Sequence, residues 1–182
     1  MSKVEFKVSC PAIDKIRVVL YPFPTLMEEA QAIVDFDESL RLRSERLAYV
    51  LKSMPNGIGL AANQVGWNQR VFAVYTNLNE KGADREIRIY VNPEILESQG
   101  DETDTEGCLS FPGIQGKVAR LGHIKVSAYD IDGNRFEEEY DGLQARCFQH
   151  ELDHLNGINF IDHLDEVDSL RVSTVLKRMK KR

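Results

Sequence analysis

The segment His150-Glu151-Leu152-Asp153-His154 constrains this chain more than any other. Residues four apart on a helix share a face, so both imidazoles can reach one ion. Glu151, beside the first histidine, can then point at a water on that ion. Two nitrogen ligands with a built-in general base form the HExxH arrangement of metallohydrolases. The bland alternative is a surface helix carrying two solvated histidines. A catalytic site of this kind also needs a third protein ligand and one open position. His163 falls nine residues after His154, where neither of the usual HExxH patterns places a ligand, and it reads as a surface or helix-flanking histidine. The better candidate lies upstream, in Glu106-Gly107-Cys108-Leu109-Ser110.

Hydrophobic periodicity places these segments on elements. Residues 1–24 read as irregular or extended, punctuated by Pro11, Pro22 and Pro24. Leu40, Leu47, Val50, Leu51 and Met54 recur at helical spacing until Pro55-Asn56-Gly57 stops the helix. The glycine-rich stretch from Gly57 to Gly66 can run close to a ligand. Residues 70–75 and 87–92 are rich in β-formers, whereas 100–105 is polar and reads as a loop. Alternation over 123–130, the Asp132-Gly133 turn and the return over 135–140 predict a hairpin. Helical patterns follow over 143–156, stopped by Gly157, and over about 166–180. The expected architecture is an α+β domain: mostly antiparallel sheet packed around a central helix carrying HExxH, with an N-terminal and a C-terminal helix.

At 182 residues the chain suits one domain, with 1–24 as an extended N-terminal segment and 166–182 as a C-terminal helix with a basic tail. A net charge of −6 argues against a general basic field for nucleic acid, so no specific DNA binding is expected. The first residues lack the apolar run of a signal peptide and no stretch is apolar for long enough to span a bilayer. The expected compartment is therefore cytoplasmic, whether a cell's own, an organelle's or a host's. Three cysteines, Cys10, Cys108 and Cys147, do not form a disulfide framework. Cys10 and Cys147 read as buried small residues.

Three segments taken together resemble the signature motifs of peptide deformylases: residues 57–64 (GIGLAANQ), 106–110 (EGCLS) and 149–157 (QHELDHLNG). They match in identity, order and approximate spacing, within a similarity running from about Ile33 to Leu164. The resemblance implies that Cys108, His150 and His154 hold one divalent ion, usually Fe(II), with Zn, Ni or Co as alternatives. It implies a water nucleophile, Glu151 as general acid and base, and the Gln64 amide with the Leu109 backbone N–H as donors to the formyl oxygen. The implied substrate is an N-formylmethionyl peptide, pairing with the Ile58-Gly59 backbone like an added strand. Its side-chain pocket and surroundings would draw on Ile58, Gly59, Asp104, Glu106, Gly107, Leu143 and Arg146. Glu106 is expected to support a ligand histidine, and Arg120 to partner Glu106 or Asp153.

The sequence departs from the family at two pocket positions usually hydrophobic in bacterial relatives, here Asp104 and Arg146. The expectation is an ion pair between them that closes or reshapes the pocket. The basic C-terminal helix resembles the element that docks some relatives on the ribosome. Rival readings are an HExxH peptidase cleaving internal bonds, a closed structural zinc module, and a catalytically weak ribosome-binding homologue.

Overall fold

A computed structural model of the chain describes residues 16–82 and 85–180. Cys10, most of the 1–24 segment and the last two basic residues lie outside them. Among the described residues, three α-helices, α1 (Glu38–Ser53), α2 (Gly142–Leu155) and α3 (Glu166–Met179), accompany five strands. The strands are β1 (Gly59–Ala61), β2 (Val71–Tyr75), β3 (Ile87–Gly107), β4 (Gln115–Tyr129) and β5 (Arg135–Asp141). They form a single antiparallel sheet in sequence order, so β1 and β5 are its edges. The α+β architecture expected from the periodicity is the one observed.

Period-two alternation decides which helix covers which face. On β2, Phe72 and Val74 point to one side, where Tyr90, Ile124 and Val126 meet Ala145, Phe148 and Leu155 of α2. Val71 and Ala73 point to the other, where Ile89 and Val91 meet Leu40, Leu47, Val50 and Leu51 of α1. Asp37 caps α1 by accepting a hydrogen bond from the Leu40 N–H at 2.9 Å. Phe148 is the centre of the α2 face: its ring stands edge-on to Phe72 at 5.0 Å and to Tyr90 at 5.4 Å. A third, smaller cluster of Phe111, Ile114, Val118, Phe160 and Val172 seats α3 against the far end of β4.

The polar stretch 100–105, expected to be a loop, is strand. β3 runs on to Gly107, and Asp101 through Gly107 pair in continuous register with Leu121 back to Gln115. Side chains 101–105 are exposed, so this part of the ladder carries no apolar alternation. Backbone pairing with β4 holds it, and local composition does not report such pairing. β4 likewise begins at Gln115 rather than at residue 123. The extension brings the end of β3 alongside α2.

Candidate metal centre

Cys108 follows the last residue of β3, in a turn closed by the Phe111 N–H donating to the Cys108 carbonyl at 3.0 Å. His150 and His154 lie one turn apart on the inward face of α2, their ring centroids 5.0 Å apart. One ligand atom from each of the three residues lies within 4.8 Å of the others. The Cys108 Sγ is 3.2 Å from His154 Nε2. The Nδ1 of His150 donates to Glu106 Oε2 at 2.9 Å, which leaves its Nε2 for the centre. His154 Nδ1 is buried with no partner among the described residues. Burial, reinforced by His150 and Arg120, holds His154 well below the usual histidine range, neutral as a ligand must be. Burial also disfavours the charged form of His150, but hydrogen bonds with Cys108 and Glu106 overcome it and push that imidazole up. A cation among the three donors would satisfy the same attraction. A thiolate and two imidazoles suit Zn, Fe, Ni or Co, so the residues fit a divalent ion.

The general-base candidate has the environment that role demands. Glu151 is buried, its Oε2 has no hydrogen-bond partner among the described residues, and burial pushes its pKa up to about 7 against the pull of His150. Gly59 lies against it. A Cβ there would sit 2.5 Å from Glu151 Oε1 and 2.9 Å from Cys147 Sγ, so only glycine lets β1 approach α2 so closely. Gln64 is held at both ends of its amide. Its Oε1 accepts from the Ala61 N–H at 2.9 Å, and its Nε2 donates to Ser110 Oγ at 3.2 Å and towards Cys108 Sγ at 3.3 Å. Asn63 anchors α2 beside it, donating to the His154 carbonyl.

A network of buried charge lies behind the ligands. Glu106 accepts from Arg120 Nε and Nη2 at 2.9 and 3.0 Å, from Arg146 Nη1 at 2.7 Å and from His150. Burial would raise its pKa, yet the His150 and Arg120 hydrogen bonds hold it well below the carboxylate range. Arg120 also pairs with Asp153 on α2. Both partners weighed for Arg120 from the sequence are therefore engaged at once. His163 stands apart, its Nε2 2.7 Å from Asp153 Oδ2. Cys147 is buried, and burial pushes its thiol up, away from thiolate reactivity.

The expected Asp104–Arg146 pair does not form. Asp104 is exposed and its Oδ1 accepts from the Thr105 N–H at 2.7 Å. Arg146 is 7% exposed and turns instead to Glu106 and to the carbonyls of Val118 and Glu102, at 2.9 and 2.6 Å. Glu106 wins because it is buried, so the attraction there is less screened by water.

These groups open onto a cleft of about 950 Å³. Ile58 and Gly59 on one side, Glu106, Gly107 and Leu109 on the other, and Leu143 and Arg146 from α2 lie along it, while Asp104 does not. Sequence reasoning assigned no role to Ser110, to Phe160, whose ring stacks on His150 at 6.2 Å, or to Arg171 and Val175, which bring α3 to the cleft wall. The 106–110 motif could have flagged Ser110. The others arrive by tertiary approach and leave no local signal.

Residues 15–170 match the polypeptide deformylase family. A peptide deformylase of Chromobacterium violaceum is 40% identical over 166 residues, covering 91% of this chain and 96% of the relative. Among solved structures, the Plasmodium falciparum peptide deformylase is 37% identical with a TM-score of 0.82, covering 91% of this chain and 95% of its own. A plant peptide deformylase is 34% identical with a TM-score of 0.85, covering 96% and 92%. The three motifs, the fold and this similarity together place the chain in the polypeptide deformylase family, hydrolases that remove the N-formyl group from peptides.

Proposed function

We propose that the chain deformylates formyl-methionyl peptides with a divalent ion, Fe(II) as the physiological choice, held by Cys108, His150 and His154. The observation that carries this reading is the convergence of one sulfur and two imidazoles beside a buried carboxylate, Glu151, with an unpartnered oxygen. When bound, such an ion supplies Lewis acidity and a water activated for attack near neutral pH.

The chain's own groups do the rest. The Ile58-Gly59 backbone lies at the sheet's β1 edge, where an extended peptide can add as a further strand. Pairing there directs the peptide's N-terminus towards the ligands. Ile58 and Leu143 offer apolar contact to the first side chain, with Arg146 behind them. Gly107 keeps the opposite wall low. As water attacks the formyl carbon, Glu151 takes its proton, and it later delivers that proton to the leaving amine. A carboxyl pushed up to about 7 suits both transfers. Negative charge on the formyl oxygen is met by the Gln64 amide and the Leu109 N–H. Gln64 can turn one N–H to this task while Ser110 keeps the other. Glu106 fixes the His150 ring from behind.

An Fe(II)–thiolate site is oxidised by oxygen, so activity should decay in air and be preserved anaerobically. Lys177, Arg178 and Lys180 at the end of α3 give a basic surface for ribosomal RNA near the emerging chain; removing residues 177–182 should weaken cosedimentation at low salt. Among the described residues no helix is long and apolar enough to cross a membrane.

The test is anaerobic purification with Fe(II) or Ni(II), then formate release from formyl-Met-Ala-Ser, with metal content measured on the same sample. One equivalent of ion with formate release is expected. New amines from unformylated peptides, without formate, would favour a peptidase and overturn the assignment of roles.

A further inference from the structure

Arg146 takes no part in the proton transfers, yet it is a buried cation on the ligand-bearing face of α2, one turn before His150. Its three contacts all cross to the β3–β4 ladder. Nη1 donates to Glu106 Oε1 at 2.7 Å and to the Val118 carbonyl at 2.9 Å, and Nη2 donates to the Glu102 carbonyl at 2.6 Å. β3 leads directly into Cys108, and α2 carries both histidines. Arg146 therefore ties together the two elements that supply the three donors.

A carboxylate offers about four lone-pair directions. In Glu106 all four are used: two by Arg120, one by Arg146 and one by His150. The arginines approach from different sides. Arg120 comes from β4 and reaches on to Asp153 of α2, while Arg146 comes from α2 itself. The Arg120 fork sets the plane of the carboxylate, and Arg146 adds a second hold on Oε1 from α2 itself. Glu106 is thereby tied to the helix that carries His150 as well as to β4, so its Oε2 keeps its place against His150 Nδ1 and the ligating Nε2 keeps its direction.

We propose that Arg146 is a positioning residue of the metal centre, holding Glu106 in the orientation that aims His150 and bracing α2 against the strand that delivers Cys108. The proposal rests on the metal-centre reading above. Its consequence is kinetic: loosening the brace lets the ligands drift, and the ion escapes sooner. Losing the direct partner of a ligand histidine commonly weakens metal affinity by about 10–100-fold, and Arg146, one contact further out through Glu106, belongs at the lower end of that range.

The full chain and its Arg146→Met and Arg146→Lys variants are loaded with Ni(II), and transfer of the ion to an excess chromophoric chelator is timed at fixed pH. Arg88→Met is the control. Arg88 pairs with Glu138 and lies over Phe136 on the same sheet, away from the site, so its loss costs stability without touching the ligands. The expected result is release about 10-fold faster from Arg146→Met. Arg146→Lys, which keeps one cation near Glu106, should fall between Arg146→Met and the unaltered protein, and Arg88→Met should release at the unaltered rate. Equal release from folded Arg146→Met and the unaltered protein overturns the proposal, as does an equal acceleration in Arg88→Met. If Arg146→Met does not fold, Arg146→Lys decides: release at least about threefold faster supports the brace, and an unchanged rate overturns it. Formate release by the unaltered Ni(II) protein is recorded in the same series. Its absence would sink the deformylation mechanism, whereas the release rates bear on Arg146 alone.

Discussion

Gly59 is the position where one added methyl group should separate catalysis from binding. A Cβ at this residue would lie 2.5 Å from Glu151 Oε1, 2.8 Å from Glu151 Cγ and 2.9 Å from Cys147 Sγ. Relaxed carbon contacts settle at about 3.5–4.0 Å, so β1 and the Glu151 side chain must separate by roughly 1 Å. Neither partner yields easily. Glu151 is buried beneath the strand, and β1 is held by its register with β2, in which Gly59 faces Val74. Overpacking of this kind costs about 1–3 kcal/mol, a fall in Tm of roughly 2–12 °C for a chain of this size.

The catalytic cost should be larger than the stability cost suggests. A 1 Å misplacement of a reacting group reduces rate by about 10²-fold, equivalent to roughly 2.7 kcal/mol in the barrier. Gly59→Ala is therefore expected to keep its ion, lose a few degrees of Tm and lose about two orders of magnitude in kcat for formate release. Adding Cys147→Ala removes the sulfur contact but not the two to Glu151. The double variant should regain part of the stability and little of the rate. If Gly59→Ala turned over within about twofold of the unaltered protein at unchanged Tm, the close approach of β1 to Glu151 would be irrelevant to the chemistry.

Three further outcomes check other parts of the structure. Phe148→Ala removes the ring at the centre of the α2 face and should cost about 3–5 kcal/mol in urea unfolding. Gln64→Leu keeps the bulk of the side chain while deleting the donor, so kcat should fall about 10²–10³-fold with metal content unchanged. Arg120→Met strips both Glu106 and Asp153 of a buried cation and should destabilise the fold by about 3–5 kcal/mol, read by chemical denaturation of the metal-free and loaded forms alike.

The elements that sequence pattern revealed are those that bury one face. Leu40, Leu47, Val50 and Leu51 repeat at helical spacing because α1 covers one side of the sheet. Ile124, Val126 and Ala128 alternate because β4 covers α2. The HExxH spacing is legible for the same reason, since two ligands on one helical face must lie about one turn apart. The far part of β3 had no such signature. Its side chains 101–105 face water, so selection for burial leaves no period there, and the backbone ladder with residues 117–121 is invisible to any local window.

The Asp104–Arg146 expectation failed on the same ground, and the failure is instructive about the site. Opposite charges brought to one pocket can choose among partners, and burial makes the choice. Asp104 ends its side chain in solvent, whereas Glu106, two residues on, is 6% exposed with Arg120 already beside it. A buried carboxylate with unfilled lone pairs attracts a second arginine more strongly than an exposed one does. The step from Asp104 to Glu106 moves Arg146 from a pocket-closing pair to the charge network behind His150. A polar strand unreadable from its own residues thus sets where Cys108 arrives, and Glu106 near its end decides where Arg146 of α2 docks. Placing the donors is a property of the β3–α2 contact, which no single motif encodes.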